Sequence, residues 1–344
     1  MRTRSRPGLW VEDRGPSSPD VTQSGPGIAG PSAVPGTTHD GPANGPGGSD
    51  GRPEAVLFIT GWTISSAVFD PIAARYTGAV RLITYDHRGS GRSAAWPAPV
   101  SMAMLAADAA RVLDDRGIAA AHVVGLSMGA AVGLELAVRM PSRVKSLVLI
   151  GGGPGGPLTR TPAPLAVART VGELAGDLGA ARWPAAVLFS RRFRAEQPDR
   201  VCELCRPFAR HRPPPWTTGF QTVAASCFAR HGSLARVRAP TLVLHGDEDA
   251  MSPVANAQLL ARGIPGAELR LMRGCGHAVP LERDAETADL LLGWFDRHAA
   301  VVPPSATSWD RAAERATRPF ALQAGMLRNT RQLTPAVWQR FGWP

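Results

Sequence analysis

Three side chains in this chain could together carry out nucleophilic chemistry. Ser127 stands in Gly125-Leu-Ser-Met-Gly129, between the apolar run His122-Val-Val and the Ala-rich stretch 128–139. That layout predicts a strand, a sharp turn with the serine at its apex, and a helix, with glycines wherever a side chain would crowd the turn. A serine hydroxyl is a poor nucleophile at neutral pH, so it needs a base within reach and a third group to orient that base. Among eight histidines, His277 alone lies in a glycine-flexed loop after an apolar run, Gly274-Cys-Gly-His-Ala-Val-Pro280, and late in the chain. Asp249 lies in His245-Gly-Asp-Glu-Asp-Ala-Met-Ser-Pro253, straight after another apolar run. Asp247 competes for the acid's place, but an aspartate directly after a strand is also favoured as a turn brace, and we assign it that part. A tetrahedral intermediate also needs N–H donors aimed at its oxygen. The backbone N–H of Met128 supplies one, and that of Trp62, in Thr60-Gly-Trp62 after the first buried run, supplies the second.

The elements that must position these groups can be read from the hydropathy pattern. Continuous apolar runs at 55–60, 80–85, 122–125, 144–150, 241–245 and 267–272 predict strands buried on both faces. Between them, 101–116, 128–139, 253–262 and 281–298 predict helices. The alternation predicts an α/β fold, a mostly parallel, doubly wound sheet with right-handed crossovers. All three candidate side chains then lie at carboxyl ends of strands, where ligands collect in such sheets. Residues 154–239 break the alternation with prolines, arginines and helical patches, and predict a helical cap insertion that divides the core into 54–153 and 240–298. Residues 1–53 are expected to be mostly disordered, because 17 of the 37 residues from 15 to 51 are Gly or Pro. Residues 9–14 also read as a short strand, which would make that tract a long loop. Residues 299–344 form a basic extension with no assigned role.

At 344 residues the chain can bury a full core, and its net charge of +10 is almost wholly arginine, Lys145 being the only lysine. The basic residues are scattered, so no nucleic-acid partner is expected. Four cysteines in a chain this long predict neither a disulfide scaffold nor a zinc site. No apolar run is long enough for a membrane span or a leader, so a cytoplasmic location is expected.

Taken together, Gly125-x-Ser-x-Gly129, Asp86-His-Arg-Gly-Ser-Gly-Arg-Ser93, Gly246-Asp-x-Asp-x-x-x-Pro253 and Gly276-His277 resemble the α/β-hydrolase fold superfamily over residues 54–298. The chain order Ser, Asp, His is the one that superfamily uses. Tyr85-Asp-His-Arg and Ala121-His-Val-Val-Gly-Leu-Ser-Met-Gly129 are similar to aclacinomycin methylesterase-type esterases. The resemblance implies a cofactor-free serine hydrolase with no metal: Ser127 as nucleophile, Asp249 as acid, His277 as base, and oxyanion donors from Trp62 and Met128. Its substrate would be a carboxylic ester of an apolar small molecule, such as a methyl ester. A lactonase, C–C hydrolase or perhydrolase would keep the same triad, and a ligand-binding or signalling protein would keep only vestigial chemistry. An epoxide hydrolase or dehalogenase would need a carboxylate where Ser127 stands. Three features depart from the family pattern. Thr60 replaces the usual histidine, so the oxyanion loop should be held by different hydrogen bonds. The amino-terminal hairpin should be incomplete, and the carboxyl-terminal extension is unaccounted for.

Overall fold

Strands β1 (Arg2–Ser5), β2 (Leu9–Arg14), β3 (Ala55–Ile59), β4 (Arg81–Tyr85), β5 (Ala121–Leu126), β6 (Val144–Ile150), β7 (Thr241–Gly246) and β8 (Glu268–Met272) form one sheet. Their order is β1-β2-β4-β3-β5-β6-β7-β8. β2 runs antiparallel to both β1 and β4, and every pairing from β4 to β8 is parallel. This computed structural model describes residues 2–5, 8–15, 53–157, 159–160 and 182–305.

Alternation along each strand divides the core between the two faces of the sheet. Leu57, Ile59, Val123, Leu147, Leu149 and Val243 point to one face, which is covered by α2 (Met102–Asp114), α3 (Met128–Arg139) and α8 (Val254–Gly263). Val56, Phe58, Val124, Val148, Ile150, Leu242 and Leu244 point to the other, against α1 (Asp70–Ala73), α9 (Val279–Glu282) and α10 (Asp284–Arg297). All six residues of β5 and of β7 are buried, as the unbroken apolar runs require.

Between β6 and β7 the chain forms α4 (Arg182–Leu188), α5 (Arg191–Glu196), α6 (Pro198–Arg210) and α7 (Pro215–Ser226). These helices reach the loops at the carboxyl ends of the strands. Ala278 N–H donates to Leu188 O at 2.8 Å, and Trp62 Nε1 donates to Thr218 O at 3.4 Å.

Three expectations are corrected. The run 267–272 is not buried on both faces: β8 is an edge strand in which only Met272 is buried. The amino-terminal hairpin is complete: β1 pairs with β2 from Arg2↔Glu12 to Ser5↔Leu9, and the Gly/Pro tract joins β2 to β3 rather than interrupting the hairpin. The sheet thus draws two strands from the segment 1–53. The last helix, expected as one piece over 281–298, is two helices meeting at Arg283, whose φ of −123° and ψ of 55° are not helical. Glu282 turns the first piece inward, where its buried carboxylate accepts from Ser190 N–H (2.9 Å), Gly276 N–H (3.0 Å) and the Ser190 hydroxyl. The disorder expected in the Gly/Pro tract, and nearly all of the carboxyl-terminal extension, lie outside the described residues.

Candidate active site

Ser127 sits at φ 58°, ψ −118°, between the end of β5 and the first residue of α3. A positive φ is costly for a side chain with a Cβ, and is kept only where the surroundings over-determine it. Here Ser127 N–H donates to Ile150 O at 2.8 Å, and its carbonyl accepts from Ala130 N–H at 2.9 Å. The flanking glycines are needed for space. A Cβ at Gly125 would lie 2.2 Å from Gly129 O, and one at Gly129 would lie 2.2 Å from Ile59 O. The turn is packed backbone against backbone, which holds the first N–H groups of α3, including that of Met128, at the positive end of the helix dipole.

Asp249 and His277 are brought together from the loops after β7 and β8. His277 Nδ1 lies 2.8 Å from Asp249 Oδ2, and the Asp249 side chain is wholly buried. The other carboxylate oxygen accepts from Met251 N–H and Ser252 N–H, each at 2.8 Å. Burial alone would raise the Asp249 pKa. The charge and hydrogen bond of His277, with the neighbouring His245, instead hold it well below the usual carboxylate range. An ionised carboxylate only accepts, so His277 carries a proton on Nδ1, and in the neutral form of the ring the lone pair is then on Nε2, the tautomer a general base requires. Asp247 lies outside this contact: it is exposed and accepts from Gly274 N–H at 2.6 Å, bracing the neighbouring loop.

Gly151 and Gly152, immediately after β6, lie against both Ser127 and His277. A Cβ at Gly151 would come within 3.0 Å of His277 Nδ1 and Cε1, and one at Gly152 within 3.6 Å of Ser127 O. On the opposite side, a Cβ at Gly61 would be 3.2 Å from Ser127 Cβ, so the Thr60–Trp62 loop lies directly beside the serine. Five strand ends, those of β3, β5, β6, β7 and β8, converge here.

Residues 56–290 match the family model described as "Alpha/beta hydrolase family". The chain belongs to that family. In sequence, the hydrolase is 31% identical over 262 residues to "Putative carbamate hydrolase RutD" of Variovorax paradoxus, covering 75% of this chain and 97% of that protein. It is 32% identical over 227 residues to the protein of the same name from Azorhizobium caulinodans, covering 65% and 83%. In structure it superposes on an enol-lactonase from Burkholderia xenovorans LB400 with a TM-score of 0.65 at 19% identity, covering 86% of this chain and 99% of the other.

The hydrolase holds its Thr60–Trp62 loop in a way the sequence left open. His87 Nε2 lies 3.1 Å from the Thr60 carbonyl. The ring is completely buried, which pushes its pKa below the ordinary value against the opposing pull of Thr60 and of nearby carboxylates. It therefore stays neutral and donates to that carbonyl. Asp86 fixes the other side of the loop, accepting from Ser66 N–H (2.5 Å), Ser66 Oγ (2.7 Å) and Ser65 Oγ (3.0 Å). Arg88 forms a buried two-pronged pair with Asp108 of α2, at 2.7 and 2.5 Å. The Asp86–Ser93 motif is thus the scaffold of this loop.

A second residue missed from the sequence is His245. Its side chain is fully buried, with Nε2 2.8 Å from Ser252 O and 3.1 Å from Asp249 Oδ2. Burial would lower its pKa, but the Asp249 carboxylate and the Ser252 carbonyl hold it above the ordinary value. Its position four residues before Asp249 was the available signal. Among the described residues, no three His, Cys, Asp or Glu side chains cluster to hold a metal ion, and no helix is long and apolar enough to cross a membrane. All four cysteines are free.

Proposed function

We propose that this hydrolase cleaves a carboxylic ester of an apolar small molecule through an acyl-enzyme on Ser127. The observation that carries this reading is the buried Asp249–His277 pair, 2.8 Å apart, across a Gly-Gly loop from a serine held at φ 58°. In the proposed cycle, Ser127 Oγ attacks the carbonyl carbon while His277 Nε2 takes its proton, and Asp249 steadies the imidazolium. The Trp62 and Met128 N–H groups receive the developing oxyanion, an interaction worth roughly 3–4 kcal/mol per donor where one has been removed. The C–O bond to the alcohol breaks as His277 returns the proton, and a water activated by His277 then releases the acid. Helices α4–α7 serve as the cap that selects the substrate, and neither a metal nor an organic cofactor is required.

A carbamate substrate is the second reading, favoured by the name of the relatives about 31–32% identical. The same groups would attack a carbamate carbonyl. The test combines fluorophosphonate labelling, peptide mapping and turnover of p-nitrophenyl esters alongside simple carbamates. A single adduct on Ser127, lost in Ser127→Ala and strongly slowed in His277→Ala, is expected together with ester turnover. Ester hydrolysis at the parent rate by Ser127→Ala would end the reading, and turnover of carbamates alone would decide for the second.

A further inference from the structure

The peptide carrying the Trp62 N–H is held in place mainly from its two flanks. On its amino side, the Thr60 carbonyl is held by His87. Its own carbonyl partner, Gly61 O, receives only a long 3.5 Å bond from Ile64 N–H. On its carboxyl side stands Thr63 at φ 59°, one of two non-glycine residues with positive φ among the described residues, the other being Ser127. For a β-branched residue that conformation is a true outlier and relaxes unless something holds it. Thr63 N–H donates to Gln221 Oε1 at 2.9 Å, and Gln221 Nε2 donates to Ser90 Oγ at 2.9 Å. A backbone N–H can only donate, which fixes which end of the amide is the oxygen. Gln221 is wholly buried, and Ser90 Oγ belongs to the same scaffold loop as His87.

Gln221 comes from α7, within the inserted helices. Thr217, Gln221 and Ala224 form the buried face of that helix, and its Thr218 carbonyl also accepts from the Trp62 indole. The fit is close, since a Cβ at Gly89 would lie 2.7 Å from Thr217 Oγ1.

We infer that Gln221 is a positioning residue for the oxyanion loop, clamping Thr63 to the His87–Ser90 scaffold so that the Trp62 N–H keeps its aim. This rests on the serine-hydrolase reading above, and it makes α7 part of the catalytic framework rather than a pocket wall alone. Gln221→Leu removes both hydrogen bonds at nearly constant volume and lets Thr63 leave its strained conformation. Gln221→Glu keeps an acceptor for Thr63 N–H and can accept from the Ser90 hydroxyl.

The test uses the full chain, p-nitrophenyl butyrate as substrate, active-site titration to count competent enzyme, and a trifluoromethyl ketone as tetrahedral analogue. Gln221→Leu is expected to lower kcat 10–100-fold with KM changed less than about threefold, and to weaken the ketone by the same factor as kcat. Gln221→Glu is expected to stay within about threefold of the parent. If Gln221→Leu does not accumulate folded, Ser90→Ala, which frees the far end of the amide, should show the same pattern at several-fold. A raised KM with unchanged kcat, or a kcat loss without weaker ketone binding, would overturn the inference. An unlabelled, inactive parent would overturn the underlying reading and this one with it, whereas an active parent matched by Gln221→Leu overturns this one alone.

Discussion

The backbone contact at the start of α3 permits a paired test on one helix. A Cβ at Gly129 would lie 2.2 Å from Ile59 O, 2.6 Å from Thr60 O and 2.8 Å from Ile59 C, all backbone atoms that no rotamer change can move. Relieving the first contact to about 3.0 Å demands about 0.8 Å of separation between α3 and the end of β3. Those two elements carry the Met128 and Trp62 N–H groups, so the displacement falls directly between the two proposed oxyanion donors. A misplacement approaching 1 Å costs about 10²-fold in rate, and overpacking of this kind costs about 1–3 kcal/mol or more. Gly133, one turn further along α3, is the internal control. Its Cβ would meet only Leu147 Cδ1 and Val123 Cγ1, each at 3.4 Å, an ordinary van der Waals contact. The propensity gain is about 1 kcal/mol at the interior Gly133 and smaller at Gly129, the second residue of α3, and neither gain lowers kcat, so a kcat loss at Gly129 alone reports the clash. We expect Gly129→Ala to lose about 100-fold in kcat and to unfold at lower urea. Gly133→Ala should keep the parent kcat and gain about 0.5–1 kcal/mol. Ester turnover with urea unfolding of both variants is the assay. A Gly129→Ala enzyme within a few-fold of parental kcat would refute the backbone-contact argument.

Two further outcomes follow from buried charge. Burial holds the His87 and His122 pKa values below 6.5 in the folded protein, so the unfolded chain binds more protons, and stability is lost as pH falls below about 6.5. Urea unfolding should weaken by up to about 1.4 kcal/mol per pH unit for each histidine. Replacing His122, which contacts Ser146 and Glu54, by Asn should remove its share of that slope, and an unchanged slope would refute the assignment. Glu135 on α3 is 1% exposed and is paired by Arg230 and Arg139. Arg230→Ala leaves the carboxylate half-paired and, discounted for the partial exposure of Arg230, should cost about 2 kcal/mol in urea unfolding. An unmoved midpoint would count against that pairing.

What could be read from the chain depended on how local each signal was. β3 to β7 are legible because a strand buried on both faces writes itself as a continuous apolar run, whereas β8, Glu-Leu-Arg-Leu-Met at the sheet edge, buries only Met272 and shows only an alternating pattern. β1, Arg2-Thr-Arg-Ser, is a polar edge strand and carries no such mark. The break at Arg283 was hidden because both pieces share one apolar periodicity. It is imposed from outside, by Glu282 reaching back to Ser190 and Gly276. The proximity of Asp249 and His277 was legible because each lies in a short loop straight after its own strand, so the sheet alone brings them together.

The Thr60–Trp62 loop shows where such reading stops. The absence of a histidine at Thr60 established that the loop needs support of another kind, and that demand was visible in three adjacent residues. The suppliers were not. His87 lies 27 residues away, in a motif whose fixed letters say nothing of which atom each one holds, and Gln221 lies 158 residues from Thr63. The surrounding sequence of α7 has no pattern that separates an inward glutamine from a solvent-facing one. A backbone donor in a strained turn states locally that it must be held, while the side chain that holds it is fixed only by packing. Sequence reading here finds demands more readily than suppliers, because burying a polar side chain such as Gln221 is tolerable only where tertiary structure brings it a partner.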